Sequence, residues 1–297
     1  MDYKIIPFVW IVLATGFSCS NDPAETTKNF ESFSGALTNK ELLIITADHR
    51  TIKAYLSKPQ GTHMDIVLAL HGGTANLESS VDATKNYNDK PDGGKQFLDN
   101  GYAVLSLGYS EYENDGSKSD RGFKELTDVL AATDYILNDS LTKYDMTIDK
   151  TIAFGHSRGG NNALLAGIER PLHAVVAAEA PLDWAKTRDS IRAGVIPGSF
   201  DEIQKFEESV AKWTNDDFIK YSPGLRLEAF QSPFLIISGE LDPAVLISIA
   251  EDVREDYLAC NANGQCMDGG LFIFHERGHT DWAQTPGIMQ EIQEFIK

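Results

Sequence analysis

Positive charge and cysteine are both scarce in this 297-residue chain. Lys and Arg number 26 against 44 Asp and Glu, giving a formal net charge of −18. Nucleic acids and anionic lipid surfaces are gripped by basic faces, so this balance argues against both as partners. Only three cysteines are present, with no CxxC pair and no clustered histidines, so there is no zinc signature. A glycine-rich phosphate loop and a dinucleotide glycine pattern are missing as well. We infer no metal and no cofactor. No internal repeat is visible, and the 42% hydrophobic content is ordinary for a chain with a substantial core.

The apolar run from Ile5 to Phe17 falls short of the roughly 20 residues that span a bilayer. It follows a short segment with one lysine, has the length of a signal-peptide core, and ends in Gly16-Phe17-Ser18-Cys19. A small residue before a lone cysteine resembles a bacterial lipoprotein signal, which implies acylation of Cys19 and a cell-envelope location, periplasmic or surface-facing. Gly16 stands where such signals carry leucine, and an ordinary secreted protein is the alternative. The expected organisation is a signal peptide over 1–18, a lipid anchor and polar tether over 19–39, and one domain over 40–297. Export places Cys260 and Cys266, which flank a polar loop, in an oxidising compartment and predicts a disulfide between them.

Within the domain, ELLIITA and TIKAYLSKP read as two short strands around a turn at Asp48-His49-Arg50. DIVLAL, AVLSL, TIAF, HAVVAAEAP, FLIISG and LFIFH are near-continuous apolar runs, which suits strands buried on both faces. Between them lie helical stretches. One, GFKELTDVLAATDYILND, places Phe123, Leu126, Leu130 and Leu137 on a single stripe. The last, WAQTPGIMQEIQEFIK, turns Ile288, Ile292 and Phe295 inward. Strands alternating with helices predict an α/β fold, a mostly parallel sheet covered on both faces. Residues 183–231 break that rhythm, carry Trp184, Phe206, Trp213 and Phe218, and read as a small helical cap whose aromatics line a pocket or simply pack.

The stretch TIAFGHSRGG, followed by NNALLAGIER, is a strand, a sharp turn and a helix with Ser157 at the apex. So tight a turn tolerates only small residues two before and two after the serine, and Gly155 and Gly159 occupy those positions. The helix would aim its N-terminal N–H groups at an oxyanion formed beside Ser157. One donor would be the backbone N–H of Arg158. The other would come from the loop His71-Gly72-Gly73-Thr74, at Gly73 or Thr74. The Arg158 side chain would meet an acidic substrate group or pair with a carboxylate. A serine hydroxyl also needs a base, and that base needs a carboxylate to orient it. Asp242 follows the FLIISG strand and doubles as a candidate helix N-cap. Glu240 and Asp183 are the other candidate acids. His279 lies in the loop after the last strand and is the candidate base, while His275 is expected to pack at the strand end.

With HGG at 71–73, the helix KELTDVLAATDYI leading into DKTIAFGHSRGG, then ISGELDP and ERGH in that order, the chain from about Glu41 resembles an α/β-hydrolase. It is most similar to the catalytic domain of the prolyl-oligopeptidase and dienelactone-hydrolase group. The resemblance implies an eight-stranded-type, mostly parallel sheet, Ser157, Asp242 and His279 as nucleophile, acid and base, and acyl transfer to water. No propeller and no acidic pair for a peptide's amino terminus is recognisable. That favours a carboxylesterase acting on a small-molecule or saccharide ester over a serine peptidase. A non-catalytic binding protein of the same fold is the reading from another class.

Overall fold

The apolar runs pair into a single eight-stranded sheet in the computed structural model, which describes residues 37–47, 49–72, 93–109, 123–139, 141–198, 200–279 and 281–297. The strands are β1 (Thr38–Ile45), β2 (Thr51–Lys58), β3 (His63–Leu70), β4 (Ala103–Leu107), β5 (Thr147–His156), β6 (Ala174–Ala178), β7 (Phe234–Gly239) and β8 (Gly270–His275). Across the sheet they run β1-β2-β4-β3-β5-β6-β7-β8. The β1–β2 hairpin and the β2–β4 pair are antiparallel, and every pairing from β3–β4 to β7–β8 is parallel. The parallel strands β4, β6 and β7 are buried at every position, because helices cover both of their faces. That double burial is what the unbroken apolar runs encode.

The helices are α1 (Lys95–Leu98), α2 (Phe123–Leu137), α3 (Arg158–Glu169), α4 (Trp184–Arg192), α5 (Phe200–Val210), α6 (Asn215–Tyr221), α7 (Ile247–Ala262) and α8 (Ile288–Ile296). They divide the core in two. One face of the sheet, through Val67, Val104, Phe154, Val176 and Ile237, packs on α1, Trp282 and α8. Phe154 sits at the centre of that layer, 4.9 Å from the Phe97 ring and 5.3 Å from Trp282. The other face packs on α2, α3, α7 and the residues between β6 and β7.

The stripe on α2 is displaced from the expected one. Leu126, Val129, Ala132 and Ile136 are buried, whereas Leu130 is half-buried and Leu137 is 38% exposed. Spacings of three and four residues choose between neighbouring stripes by a rotation of one residue, and the core takes the one through Val129. On α8 the buried residues are Ile288, Ile292 and Ile296, with Phe295 half-buried beside them.

The expected cap corresponds to α4, α5 and α6 and two short helical turns before β7. Its aromatics pack together rather than lining an opening. Trp213 lies 5.1 Å from Tyr221, 5.2 Å from Phe218 and 6.4 Å edge-on from Trp184, which in turn lies 6.0 Å from Phe206. All five are buried. Cys260 and Cys266 form the expected disulfide, closing the turn that follows α7. The candidate signal segment with Cys19, and most of the tether, lie outside the described residues. Among the described residues, no helix is long and apolar enough to cross a membrane.

Candidate active site

Strand β5 ends in a turn that only its own residues could make. Ser157 has φ 56° and ψ −126°, far from ordinary strand or helix geometry, and α3 begins at the next residue. A Cβ on Gly155 would stand 2.0 Å from the Gly159 carbonyl oxygen, and one on Gly159 would stand 1.9 Å from that of Leu70. Glycine at both positions is a steric requirement of the turn. It also brings the end of β3 against Ser157: a Cβ on Gly72 would meet Ser157 Cβ at 2.8 Å.

The three side chains expected to act together meet at the carboxyl ends of β5, β7 and β8. Ser157 Oγ lies 2.9 Å from His279 Nε2, and His279 Nδ1 lies 2.7 Å from Asp242 Oδ2. A carboxylate only accepts, so Nδ1 carries the ring proton and Nε2 is left to accept from the serine hydroxyl. Asp242 is fixed from behind, its Oδ1 accepting from Ala244 N–H at 2.7 Å and Val245 N–H at 2.9 Å. The carboxylate therefore holds the bend after β7 and partners the histidine, but it is not the helix cap expected of it, because α7 begins only at Ile247 with Leu246 as its N-cap. Burial alone would raise the Asp242 carboxyl. The hydrogen bond and charge of His279, with the Val245 N–H and Glu179, outweigh it and hold the group below its ordinary value. His279 is held by its backbone as well, since His156 Nε2–H donates to its carbonyl.

The competing assignments lie elsewhere. Asp183 caps α4, accepting from Ala185 and Lys186 N–H, and Glu240 points to solvent. His275 is buried at the end of β8. The Arg158 side chain pairs with a carboxylate, Glu125, at 3.3 Å, both almost wholly buried. It lies over the Tyr109 ring, whose hydroxyl donates to the His71 carbonyl at 3.2 Å. Tyr109 is thus packed against His71, ring centroids 4.7 Å apart. Arg158 opens α3, where its backbone N–H was expected to serve. Gly73 and Thr74 lie outside the described residues.

Three buried carboxyls have no counterpart among the residues expected from the sequence: Glu125, Asp128 and Glu179. The signal for Glu179 was available, a charged residue inside the apolar run HAVVAAEAP. Its Oε1 lies 2.8 Å from His275 Nε2 and its Oε2 accepts from Gly239 N–H at 2.9 Å. Burial and the hydrogen bond with Asp242 push its carboxyl up to about 9, against the pull of Gly239 N–H and His279. Burial, and then Arg277, lower His275, so its ring is neutral near pH 7.

A sequence model of the family described as BD-FAE matches residues 52–257, more than two thirds of the chain. No curated protein sequence matches it. Among solved structures, esterase Pf2001 of Pyrococcus furiosus superposes with a TM-score of 0.65 at 18% identity, over 95% of this chain and 98% of that one. A thermostable esterase from Pseudomonas putida gives 0.63 at 16% identity, covering 89% and 82%. A puromycin-hydrolysing peptidase of Mycobacterium tuberculosis gives 0.61 at 16% identity, over 87% of this chain but 38% of its own. These likenesses establish the α/β-hydrolase fold, in agreement with the mixed, mostly parallel sheet.

Proposed function

Because the chain belongs to the BD-FAE family, we propose that it is a serine hydrolase, and specifically a carboxylesterase with Ser157 as nucleophile. The observation that carries this reading is the unbroken line Ser157 Oγ, His279, Asp242, with separations of 2.9 and 2.7 Å. In this reading the serine oxygen adds to the ester carbonyl as its proton passes to His279 Nε2. The imidazolium, paired with Asp242, returns that proton to the departing alcohol. Water then attacks the acyl-enzyme by the same route and releases the acid. The backbone N–H of Arg158 and a donor at Gly73 or Thr74 would hold the oxyanion.

The esterase neighbours span most of their own length with this chain, whereas the peptidase is matched over well under half of its own. That supports a small-molecule or saccharide ester as substrate over a peptide. At the N-terminus, the same proposal includes export and acylation of Cys19. Cys19→Ala should then move the protein from the detergent phase to the aqueous phase.

The test compares p-nitrophenyl acetate with an aminoacyl p-nitroanilide, on wild type and on Ser157→Ala. Ester turnover that vanishes in the variant supports the reading. Anilide turnover of equal efficiency would move it to a peptidase. Turnover no faster than the variant, together with no labelling by a fluorophosphonate, would leave a binding protein of hydrolase fold.

A further inference from the structure

Two adjacent parallel strands end in the same unusual way. β5 runs into Ser157 at φ 56°, and β6 runs into Glu179 at φ 51°. A non-glycine residue at positive φ carries strain, and such residues concentrate where a side chain must be aimed. Glu179 is fully buried, its backbone N–H donates to the Ile237 carbonyl, and its side chain is directed behind Asp242.

The hydrogen-bond inventory around Glu179 fixes its protonation. Two donors point at it, His275 Nε2–H at 2.8 Å and Gly239 N–H at 2.9 Å. His275 must donate through Nε2, because its Nδ1 is buried without a partner among the described residues and a bare acceptor costs less than a bare N–H. The third neighbour is the Asp242 carboxyl: Gly239 donates its N–H to Glu179 and accepts the Asp242 N–H on its carbonyl at 3.3 Å, and each carboxyl shifts the other. Asp242 already accepts from His279, Ala244 and Val245. Two carboxyl groups share a hydrogen bond only if one is protonated, and three donors converge on Asp242 against two on Glu179.

We propose that Glu179 is a positioning residue that works as a neutral carboxylic acid, accepting from His275 and Gly239 and donating its own proton to Asp242. The hydrogen bond keeps Asp242 ionised in a buried site and aims it at His279. This proposal rests on the reading of Ser157, His279 and Asp242 as the reacting set. The raised Glu179 and lowered Asp242 carboxyls agree with it. The charged and titratable groups that face this pair are His279 and His275, with Arg277, Glu240 and Asp281 acting on His275 from beyond. Loss of the Glu179 proton at high pH would set two buried negative charges together and remove the donor.

The experiment measures kcat and KM for p-nitrophenyl acetate from pH 6 to 10 on the full chain, with Glu179→Gln, Glu179→Leu and Ser157→Ala. Glutamine keeps an N–H donor for Asp242 and one acceptor, giving up one of the two bonds from His275 and Gly239, and leucine keeps neither group. Glu179→Leu should lower kcat by about 10–100-fold with little change in KM. Glu179→Gln should recover most of that loss. Wild type should show a fall in kcat/KM above pH about 9, and Glu179→Gln should lack it. If Glu179→Gln is as impaired as Glu179→Leu, or keeps the same alkaline fall, the proposal is overturned. Should Glu179→Leu not fold, the comparison of wild type with Glu179→Gln still decides. Wild-type turnover equal to Ser157→Ala would instead sink the esterase reading, and this proposal with it.

Discussion

Replacing Asp242 by asparagine removes one charge without changing shape, and the structure dictates which way the amide must face. Oδ1 accepts from the backbone N–H groups of Ala244 and Val245, at 2.7 and 2.9 Å. The asparagine carbonyl oxygen has to take that place, since an NH2 group there would face two donors. Its NH2 then faces His279 Nδ1, where the carboxylate had accepted at 2.7 Å. Nδ1 becomes an acceptor, the ring proton moves to Nε2, and Nε2 can no longer accept the Ser157 proton. In a serine protease this tautomer error lowers kcat by about 10⁴-fold, roughly 5 kcal/mol of transition-state stabilisation. We predict a loss of that order for Asp242→Asn, with KM nearly unchanged. Because the bonds from Ala244 and Val245 N–H survive, the thermal midpoint should move by no more than a few degrees. The assay is steady-state hydrolysis of p-nitrophenyl acetate with Ser157→Ala as background. A loss of less than tenfold in a folded variant would refute the assigned tautomer and the role of Asp242.

Gly159→Ala should destabilise the fold by about 3 kcal/mol or more, because its Cβ would stand 1.9 Å from the Leu70 carbonyl oxygen, a backbone atom that cannot yield; urea midpoints measure it. Arg158→Met should cost roughly 3–5 kcal/mol by leaving Glu125 charged and buried, and adding Glu125→Met should recover much of that loss in the same unfolding assay. Stability should also fall with rising pH through Glu179. Its carboxyl titrates near 4.5 when unfolded and at about 9 when folded, so unfolding between those values releases a proton. The slope approaches about 1.4 kcal/mol per pH unit within that window and vanishes outside it. Urea titrations at pH 5, 7 and 9 should find Glu179→Gln much flatter than wild type. The lowered Asp242 works in the opposite sense, contributing stability above its ordinary value of 3.8 that is lost as pH falls below it.

The strands were readable because double burial leaves an unmistakable signature, an apolar run bounded by turn residues. Ser157 was readable because its turn demands glycine at two fixed positions. The proximity of His279 and Asp242 to Ser157 follows from their places after β8 and β7. The stripe on α2 was not, since periodicity gives the width of a buried face but not its rotation, and Leu137 ended at its edge. The cap aromatics were ambiguous because a buried Trp213 and a pocket-lining one have the same sequence. Glu125 and Glu179 were passed over for a different reason. Glu179 stands in an apolar run, which marks a buried carboxyl, whereas Glu125 stands between Lys124 and Leu126 with no such mark; the partners of both, Arg158 and Asn162 in one case and His275 and Asp242 in the other, are brought up by other parts of the chain. Only the assembled sheet places them.

The most direct test of the account is the intact mass of the protein after treatment with a fluorophosphonate, with the adduct located by peptide mapping. The account predicts a single phosphonyl adduct on Ser157, lost in Ser157→Ala and greatly slowed in His279→Ala. A wild-type protein that remains unlabelled, or one labelled equally in Ser157→Ala, would contradict it.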